Sequence, residues 1–211
     1  MFQFLLDILF PPKRAVRELE SMDAVTFASK MEKPDNYAGK DIISLFGYGQ
    51  SEVRQAVWEL KYRGNRKIAR LLAEALYDEM LAFLEEYAPL TNFHEPLLIP
   101  IPLSKKREAE RGFNQCRLLT DELMRIDQGR NFTLSLALTK VKDTMSQTKT
   151  DSRKGRLENL SGCFRADADQ VLRRNIILID DVATTGATLE EARRTLKAAG
   201  ARRVIAFTVA H

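Results

Sequence analysis

The chain is poor in the residues from which proteins build zinc sites and disulfide frameworks. It has 211 residues but only two cysteines, Cys116 and Cys163, and two histidines. The cysteines are far apart and lack metal-ligand spacing, so we expect no zinc site made by the protein. Nothing in this cysteine usage requires an oxidising compartment, and we expect a cytoplasmic protein.

A long apolar run is also missing. The N-terminal stretch M-F-Q-F-L-L-D-I-L-F-P-P is rich in apolar residues, yet it is far shorter than the ~20 residues of a spanning helix and contains Asp7. It has neither a basic leader nor a small-residue cleavage site. We expect a short amphipathic helix, ended by Pro11 and Pro12, that docks on its own domain or on a partner, and no membrane span.

The remaining composition is that of a folded protein. Hydrophobic residues make up 45% of the chain and charged residues 29%, which permits a core and excludes a disordered composition. The length suits one α/β domain with an appendage, or two small domains. The formal net charge of +4 attracts anions but does not by itself indicate a nucleic-acid partner.

Strand and helix patterns alternate along the second half of the chain, which predicts an α/β fold: a mostly parallel twisted sheet flanked by helices, with a small N-terminal helical extension. Pro100 and Pro102 would ordinarily place the strand that contains them at a sheet edge. We predict an extension over residues 1–45 and the main domain over 46–211. The predicted elements are strands at 42–48, 97–103, 175–179 and 203–209, helices at 51–63, 67–87, from 114 onward and 189–199, and a basic loop at 104–113.

The stretch I-I-L-I-D-D-V-A-T-T-G-A-T, from Ile176 to Thr188, combines features that a structural strand does not need. Asp180 and Asp181 repel each other, and burying either one costs free energy or shifts its pKa. Ligands of parallel sheets bind beyond the carboxyl ends of the strands, and a helix N-terminus with threonine hydroxyls suits a phosphate. Carboxylates accept from sugar hydroxyls or hold hydrated Mg²⁺. A ribose 5-phosphate group would match the whole stretch.

Other sites fit this stretch less well. A P-loop would need Gly-Lys-Ser/Thr, and a dinucleotide site would need G-x-G-x-x-G; both are absent. A receiver domain carries paired acids at its first strand, with several strands to follow. The alternative without a ligand is a surface pair of aspartates beside a capping threonine.

The same stretch resembles the phosphoribosyl pyrophosphate signature of the type I phosphoribosyltransferases. The resemblance implies that Asp180 and Asp181 hold the ribose hydroxyls, with Mg²⁺ accompanying the ligand. It implies that the 5-phosphate is wrapped by Ala183, Thr184, Thr185, Gly186, Ala187 and Thr188.

Three further segments resemble the competence protein F (ComF) family of phosphoribosyltransferase-like proteins. The first, F-G-Y-G-Q…E-L-K-Y-R-G-N from Phe46 to Asn65, resembles the family's entry to its transferase domain. The second is P-I-P-L-S-K-K-R-E-A-E-R-G-F-N-Q; its cations would contact pyrophosphate, although they could also form an exposed helical face balanced by glutamates. The third, at 140–164, corresponds to a loop that closes over the reaction centre. The pyrophosphate candidates are Lys105, Lys106, Arg107 and Arg111; the loop candidates are Lys140, Lys142, Gln147, Arg153 and Arg156.

The N-terminal region departs from this family. Family members commonly carry Cys-x-x-Cys pairs that bind zinc near the N-terminus, whereas here no cysteine precedes Cys116. The zinc module is therefore missing or replaced, and no zinc is expected.

Three functions are consistent with the motifs. The first is transfer of ribose 5-phosphate from phosphoribosyl pyrophosphate to an acceptor nitrogen, with release of pyrophosphate. The second is a non-catalytic nucleic-acid-binding protein of DNA uptake, and the third is a nucleotide sensor without turnover. The expected partners are phosphoribosyl pyrophosphate, single-stranded DNA or the DNA-uptake machinery, and a second copy of the chain in a homodimer.

Overall fold

The computed structural model describes residues 13–34, 41–143 and 160–211. Within them, helices and strands alternate over most of the chain, as the sequence predicts. The strands are β1 Ile42–Phe46, β2 Leu97–Pro100, β3 Thr133–Leu134, β4 Leu138–Lys140, β5 Phe164–Ala166, β6 Asn175–Val182 and β7 Arg203–Ala210. The helices are α1 Lys13–Ser21, α2 Ala24–Lys30, α3 Ser51–Arg63, α4 Arg66–Thr91, α5 Lys105–Arg111, α6 Gln115–Asp127, α7 Ala168–Val171 and α8 Ala187–Ala198.

The main sheet has five strands in the order β1-β7-β6-β2-β3, and every pairing in it is parallel. This confirms the predicted fold class. A separate antiparallel hairpin is formed by β4 and β5. The central strand β6 is buried along almost its whole length, which explains its continuous run of isoleucine and leucine.

Helices cover both faces of the sheet, and the alternation of side chains along β6 assigns each residue to one face. Ile177 and Ile179 pack with the apolar faces of α3, α4 and α6. Ile176 and Leu178 pack on the opposite side, with α8 and the β4–β5 hairpin. Because successive strand residues point to opposite faces, the two cores meet only through the sheet itself.

The predicted edge position of the proline-containing strand is wrong. β2 lies inside the sheet, between β6 and β3. The pairing with β3 involves only Leu97 and Leu98, so Pro100 lies beyond the end of that ladder. The N–H group that proline lacks is therefore not needed for a hydrogen bond to β3. On the other side the ladder with β6 continues, and Ile101 N–H donates to the Ile179 carbonyl at 2.9 Å.

The basic segment after β2 is helical rather than a loop. Ser104 caps α5, and its hydroxyl accepts weakly from Arg107 N–H at 3.4 Å. From the sequence, Ser51 is a plausible cap for the helix predicted at 51–63 and Gly64 its expected end. The capping role is wrong, because Gln50 is the residue that precedes α3 and no side chain caps this helix. Gly64 does end α3, in a left-handed conformation with φ of 57°.

The N-terminal extension contributes α1 and α2, whose residues Leu19 and Phe27 join the core under α3 and α4. The predicted boundary at residue 46 falls in β1, which pairs with β7 in the main sheet; the division into 1–45 and 46–211 stays a prediction. The predicted helix before Pro11 lies outside the described residues. No helix among the described residues is long and apolar enough to cross a membrane.

Candidate ligand site at the end of strand β6

The sequence predicts a strand that ends at residue 179, with Asp180 and Asp181 after it. In the structure both aspartates lie inside β6, which continues to Val182. The ladder with β7 continues to Val182, where it pairs with Ala210, whereas the ladder with β2 ends at Ile179. The two aspartates are therefore held by a neighbouring strand on one side only. They lie at the carboxyl edge of a parallel sheet, where ligands of such sheets bind.

Asp180 is almost completely buried, and the cost of that burial is visible in its pKa. Its Oδ1 atom accepts from the backbone N–H of Asp181 at 2.9 Å and from the Cys116 thiol at 3.2 Å. Burial and the neighbouring Asp181 charge outweigh Lys61 and these hydrogen bonds, and they raise the pKa of Asp180 to about 7. No described residue donates to its second oxygen, Oδ2.

Asp181 is buried as well but has a cationic partner. The Lys61 ammonium, from α3, lies 2.9 Å from Oδ2, while Oδ1 accepts from Val182 N–H at 2.9 Å. The ammonium is close enough for an ion pair, yet Oδ2 receives no hydrogen bond of regular geometry. The site is thus an acidic pair in which one carboxylate is balanced and the other is not.

Cys116 completes the buried cluster. Its sulfur and the carboxylate oxygens of Asp180 and Asp181 lie within 4.8 Å of one another. Burial and the charge of Asp180 raise the pKa of the thiol, so it remains protonated and acts as a donor. The two carboxylates suit a hard cation such as Mg²⁺, and the under-bonded Oδ2 of Asp181 gives such an ion an acceptor, whereas a neutral thiol is not a ligand for it.

The turn from Ala183 to Gly186 connects the acidic pair to α8. Its first residue is fixed on both sides: Ala183 N–H donates to the Ala210 carbonyl, and the Ala183 carbonyl contacts the His211 ring at Nδ1, 2.6 Å away. Beyond it, no described residue accepts from the backbone N–H groups of Thr188 and Leu189. A helix start with unused N–H groups and nearby threonine hydroxyls is a suitable place for a phosphate.

Gly186 is the residue of this turn whose conformation depends on lacking a side chain. It precedes α8 with φ of 72°, a left-handed conformation that costs other residues free energy. We expect Gly186→Val to weaken binding of phosphoribosyl pyrophosphate at least tenfold in calorimetry, because the altered turn would redirect the N–H groups of α8.

The matched control is Gly129→Val. Gly129 has φ of 73° and open space around its Cβ position, but it lies between α6 and β3, at the opposite edge of the sheet. The control should lose similar stability on urea denaturation and keep its affinity. Equal affinity losses in both variants would mean that the turn has no special role.

All four predicted pyrophosphate residues lie on α5, and Arg111 is its last residue. Lys105 and Lys106 are exposed, whereas Arg107 and Arg111 are half-buried. Arg111 donates to the Gln115 side chain at 3.0 Å and lies over the Tyr62 ring, 5.4 Å from its centroid. No ligand contact tests these four assignments, and they stay predictions.

The two loop candidates that the structure describes lie where β4 ends: Lys140 is its last residue and Lys142 follows two residues later. Lys140 lies over the Phe164 ring, and burial followed by the charge of Arg107 lowers its pKa, against the opposing charge of Asp180. Lys142 donates to the Ser161 carbonyl. Gln147, Arg153 and Arg156 lie outside the described residues.

Sequence reasoning missed three residues of this site: Lys61, Cys116 and His211. The available signal was weak, because Lys61 follows the apolar face of α3 and Cys116 follows the capping Asn114 of α6 without any motif for a ligand. Their roles depend on which elements meet at the sheet edge.

The topology and this edge define the class of protein: a parallel α/β protein whose central strand ends in two buried carboxylates and a short turn into a helix. The chain belongs to the competence protein F family. It is 34% identical to the competence protein ComFC of Bacillus subtilis over 169 residues, which cover 79% of this chain and 62% of that protein. It is 30% identical to competence protein F of Haemophilus influenzae over 166 residues, covering 78% and 70%.

A third relative is the DNA utilization protein YhgH of Escherichia coli, 33% identical over 149 residues that cover 70% of this chain and 62% of that protein. The match thus spans less than two thirds of the Bacillus and Escherichia relatives. None of the protein-family models that were searched matches the chain.

Solved structures similar to this chain include enzymes of nucleotide metabolism. The allosteric regulatory enzyme of purine biosynthesis matches 72% of this chain and 30% of its own, with 16% identity and a TM-score of 0.40. The hypoxanthine-guanine phosphoribosyltransferase of L. donovani matches 68% and 67%, with 14% identity and a TM-score of 0.39. The fold assignment rests on the sheet topology and does not depend on these scores.

Proposed function

We propose that the protein binds phosphoribosyl pyrophosphate and transfers its ribose 5-phosphate to an acceptor nitrogen, releasing pyrophosphate. The observation that carries this proposal is the continuity of β6 with α8. A buried acidic pair is followed within a few residues by a helix start at which the N–H groups of Thr188 and Leu189 have no acceptor among the described residues. A ligand with a vicinal diol next to a phosphate is complementary to both parts.

Each part of the chain has a definite role in this proposal. The carboxylates of Asp180 and Asp181 accept the ribose hydroxyls, the turn from Ala183 to Thr188 binds the 5-phosphate, and the cations of α5 attract the diphosphate. Mg²⁺, when bound with the ligand, would neutralise charge on the diphosphate beside the two carboxylates. Positioning and charge stabilisation suffice for such a transfer, and no protein nucleophile is needed.

The decisive experiment has two stages. Calorimetry with phosphoribosyl pyrophosphate and Mg²⁺ should show binding, and a screen of nucleobases that follows pyrophosphate release should then identify the acceptor. Absence of binding would contradict the proposal. Binding without turnover for any acceptor would instead favour a nucleotide sensor on the same site.

A second function, binding of single-stranded nucleic acid, is favoured by a separate surface on α3. Trp58 and Tyr62 pack with ring centroids 5.5 Å apart, and Arg63 lies over the Trp58 ring. Tyr62 is 59% exposed, so the surface presents aromatic rings beside a guanidinium group. Bases stack on such rings while the arginine meets phosphates.

This surface continues into an open, predominantly basic cavity of about 730 Å³ at the α3–α4 junction. Its charged lining contains four cations and two carboxylates, and Arg63 belongs both to the cavity and to the aromatic surface. The names of the relatives, competence protein and DNA utilization protein, point in the same direction. The charged lining residues are Arg17, Arg63, Arg66, Lys67, Glu20 and Glu59.

Trp58 is the only tryptophan of the chain, so its fluorescence reports on this surface directly. We expect an oligo-dT strand to quench it, with an affinity that falls as salt rises and that phosphoribosyl pyrophosphate does not compete away. Tyr62→Ala should weaken binding about tenfold, since stacking contributes about 1–3 kcal/mol per base.

The control is Arg125→Gln on α6, which removes one exposed charge elsewhere. It should lower the affinity much less than Arg63→Gln does. Quenching that is absent, or equally weakened by both arginine variants, would contradict a nucleic-acid surface on α3.

A further inference from the structure

Lys61 reaches the acidic pair from α3, within the segment E-L-K-Y-R-G-N, to which the family resemblance assigns no contact with a ligand. It lies near the C-terminus of α3, and its ammonium is 2.9 Å from Oδ2 of Asp181. The Lys61 side chain is 25% exposed and that of Asp181 is 4% exposed. This ion pair is therefore largely removed from water, unlike the exposed pairs on the helix surfaces of the protein.

The contact distance makes this an ion pair: at 2.9 Å the two charged groups stabilise each other, and removing either partner would leave an uncompensated buried charge. The ligand-free site accordingly contains a cation beside Asp181.

The Lys61 ammonium lies beside one of the two carboxylate oxygens of the pair that receive no regular hydrogen bond from the described residues. Oδ1 of Asp180 accepts two hydrogen bonds and Oδ1 of Asp181 accepts one, from Val182 N–H. Of the two remaining oxygens, Oδ2 of Asp180 has no donor among the described residues, and Oδ2 of Asp181 has Lys61 beside it. A Mg²⁺ or Mn²⁺ ion bound to Asp181 Oδ2 would lie about 2 Å from that oxygen, and therefore within about 5 Å of the ammonium. Two cations so close in a poorly hydrated site repel each other strongly.

We propose that Lys61 is the resident counter-cation of the acidic pair: it occupies the side of Asp181 that a divalent cation would otherwise take. In the ligand-free protein it keeps the pair from binding a divalent cation. Divalent-cation binding then depends on a ligand that supplies phosphate oxygens of its own. The identity of that ligand rests on the function proposed above, whereas the competition between Lys61 and the cation does not.

The direct test is binding of Mn²⁺ to the protein alone, followed by electron paramagnetic resonance of the free ion. The wild-type protein should bind Mn²⁺ only weakly, with a dissociation constant in the millimolar range or above. Lys61→Met should bind at least tenfold more tightly, and Lys61→Arg, which keeps the charge, should behave like the wild type. The gain should disappear in the double variant Lys61→Met with Asp181→Asn.

The matched control is Lys33→Met, which removes an exposed lysine that pairs with Glu79 of α4. It should leave Mn²⁺ affinity unchanged. Lys61→Gln provides a second neutral variant in case Lys61→Met does not fold. Submillimolar Mn²⁺ binding at the acidic pair of the wild-type protein, or no gain in the neutral variants, would overturn the proposal.

A parallel measurement separates this proposal from the proposed function. Calorimetry with phosphoribosyl pyrophosphate, with Mg²⁺ and with a chelator, should show a stronger dependence on Mg²⁺ in Lys61→Met than in the wild type. If the wild-type protein does not bind phosphoribosyl pyrophosphate, the proposed function fails while the Mn²⁺ result still decides the role of Lys61.

Discussion

Replacing Asp180 and Asp181 together by asparagine is expected to lower the affinity for phosphoribosyl pyrophosphate more than a hundredfold and to leave the fold intact. Each carboxylate can accept a hydrogen bond from a ribose hydroxyl, and a hydrogen bond to a charged group contributes about 1.5–3 kcal/mol. An asparagine presents only one acceptor oxygen, and its amide donors oppose the hydroxyl donors of the ligand.

The fold should survive because the substitution is close to isosteric, and the relieved repulsion between two adjacent buried charges offsets the cost of leaving Lys61 without its carboxylate partner. Circular dichroism and urea denaturation would establish this. The control is Asp121→Asn, which neutralises the exposed partner of Arg117 on α6 and should bind the ligand normally. Unchanged affinity of the double variant in calorimetry would remove Asp180 and Asp181 from the site.

The stability of the ligand-free protein is expected to fall as the pH rises from about 5 to 8, because of Asp180. The folded-state pKa of this group is raised to about 7, above its unfolded value. Its contribution is therefore fully present below the unfolded pKa of about 4 and is lost as the pH rises through the folded pKa. Between pH 5 and pH 8 this group should lower the free energy of unfolding by about 2–3 kcal/mol.

Asp180→Asn isolates this contribution, since the other titrating groups are common to both proteins. The difference in free energy of unfolding between the variant and the wild type should grow in favour of the variant from pH 5 to pH 8, as measured by urea denaturation. Curves that remain parallel over this range would show that Asp180 titrates normally.

Local patterns in the sequence predict much of the fold. The apolar run before Asp180 marks a buried strand, Gly64 marks the end of α3, and Asn114 marks the start of α6, because each depends on residues adjacent in sequence. The position of β2 could not be predicted in this way. Whether Pro100 disturbs a ladder depends on the length of β3, which is set by a segment more than thirty residues further on.

The candidate site shows the same difference between features set by neighbouring residues and features set by tertiary packing. The sequence by itself determined the acidic pair and the turn into α8, since a strand, two carboxylates and a helix start follow one another within a few residues. Only the tertiary structure decided that Lys61 would neutralise Asp181 and that Cys116 would donate to Asp180. These partners come from α3 and α6, and only the packing of those helices beside the carboxyl edge of the sheet brings their side chains within contact distance.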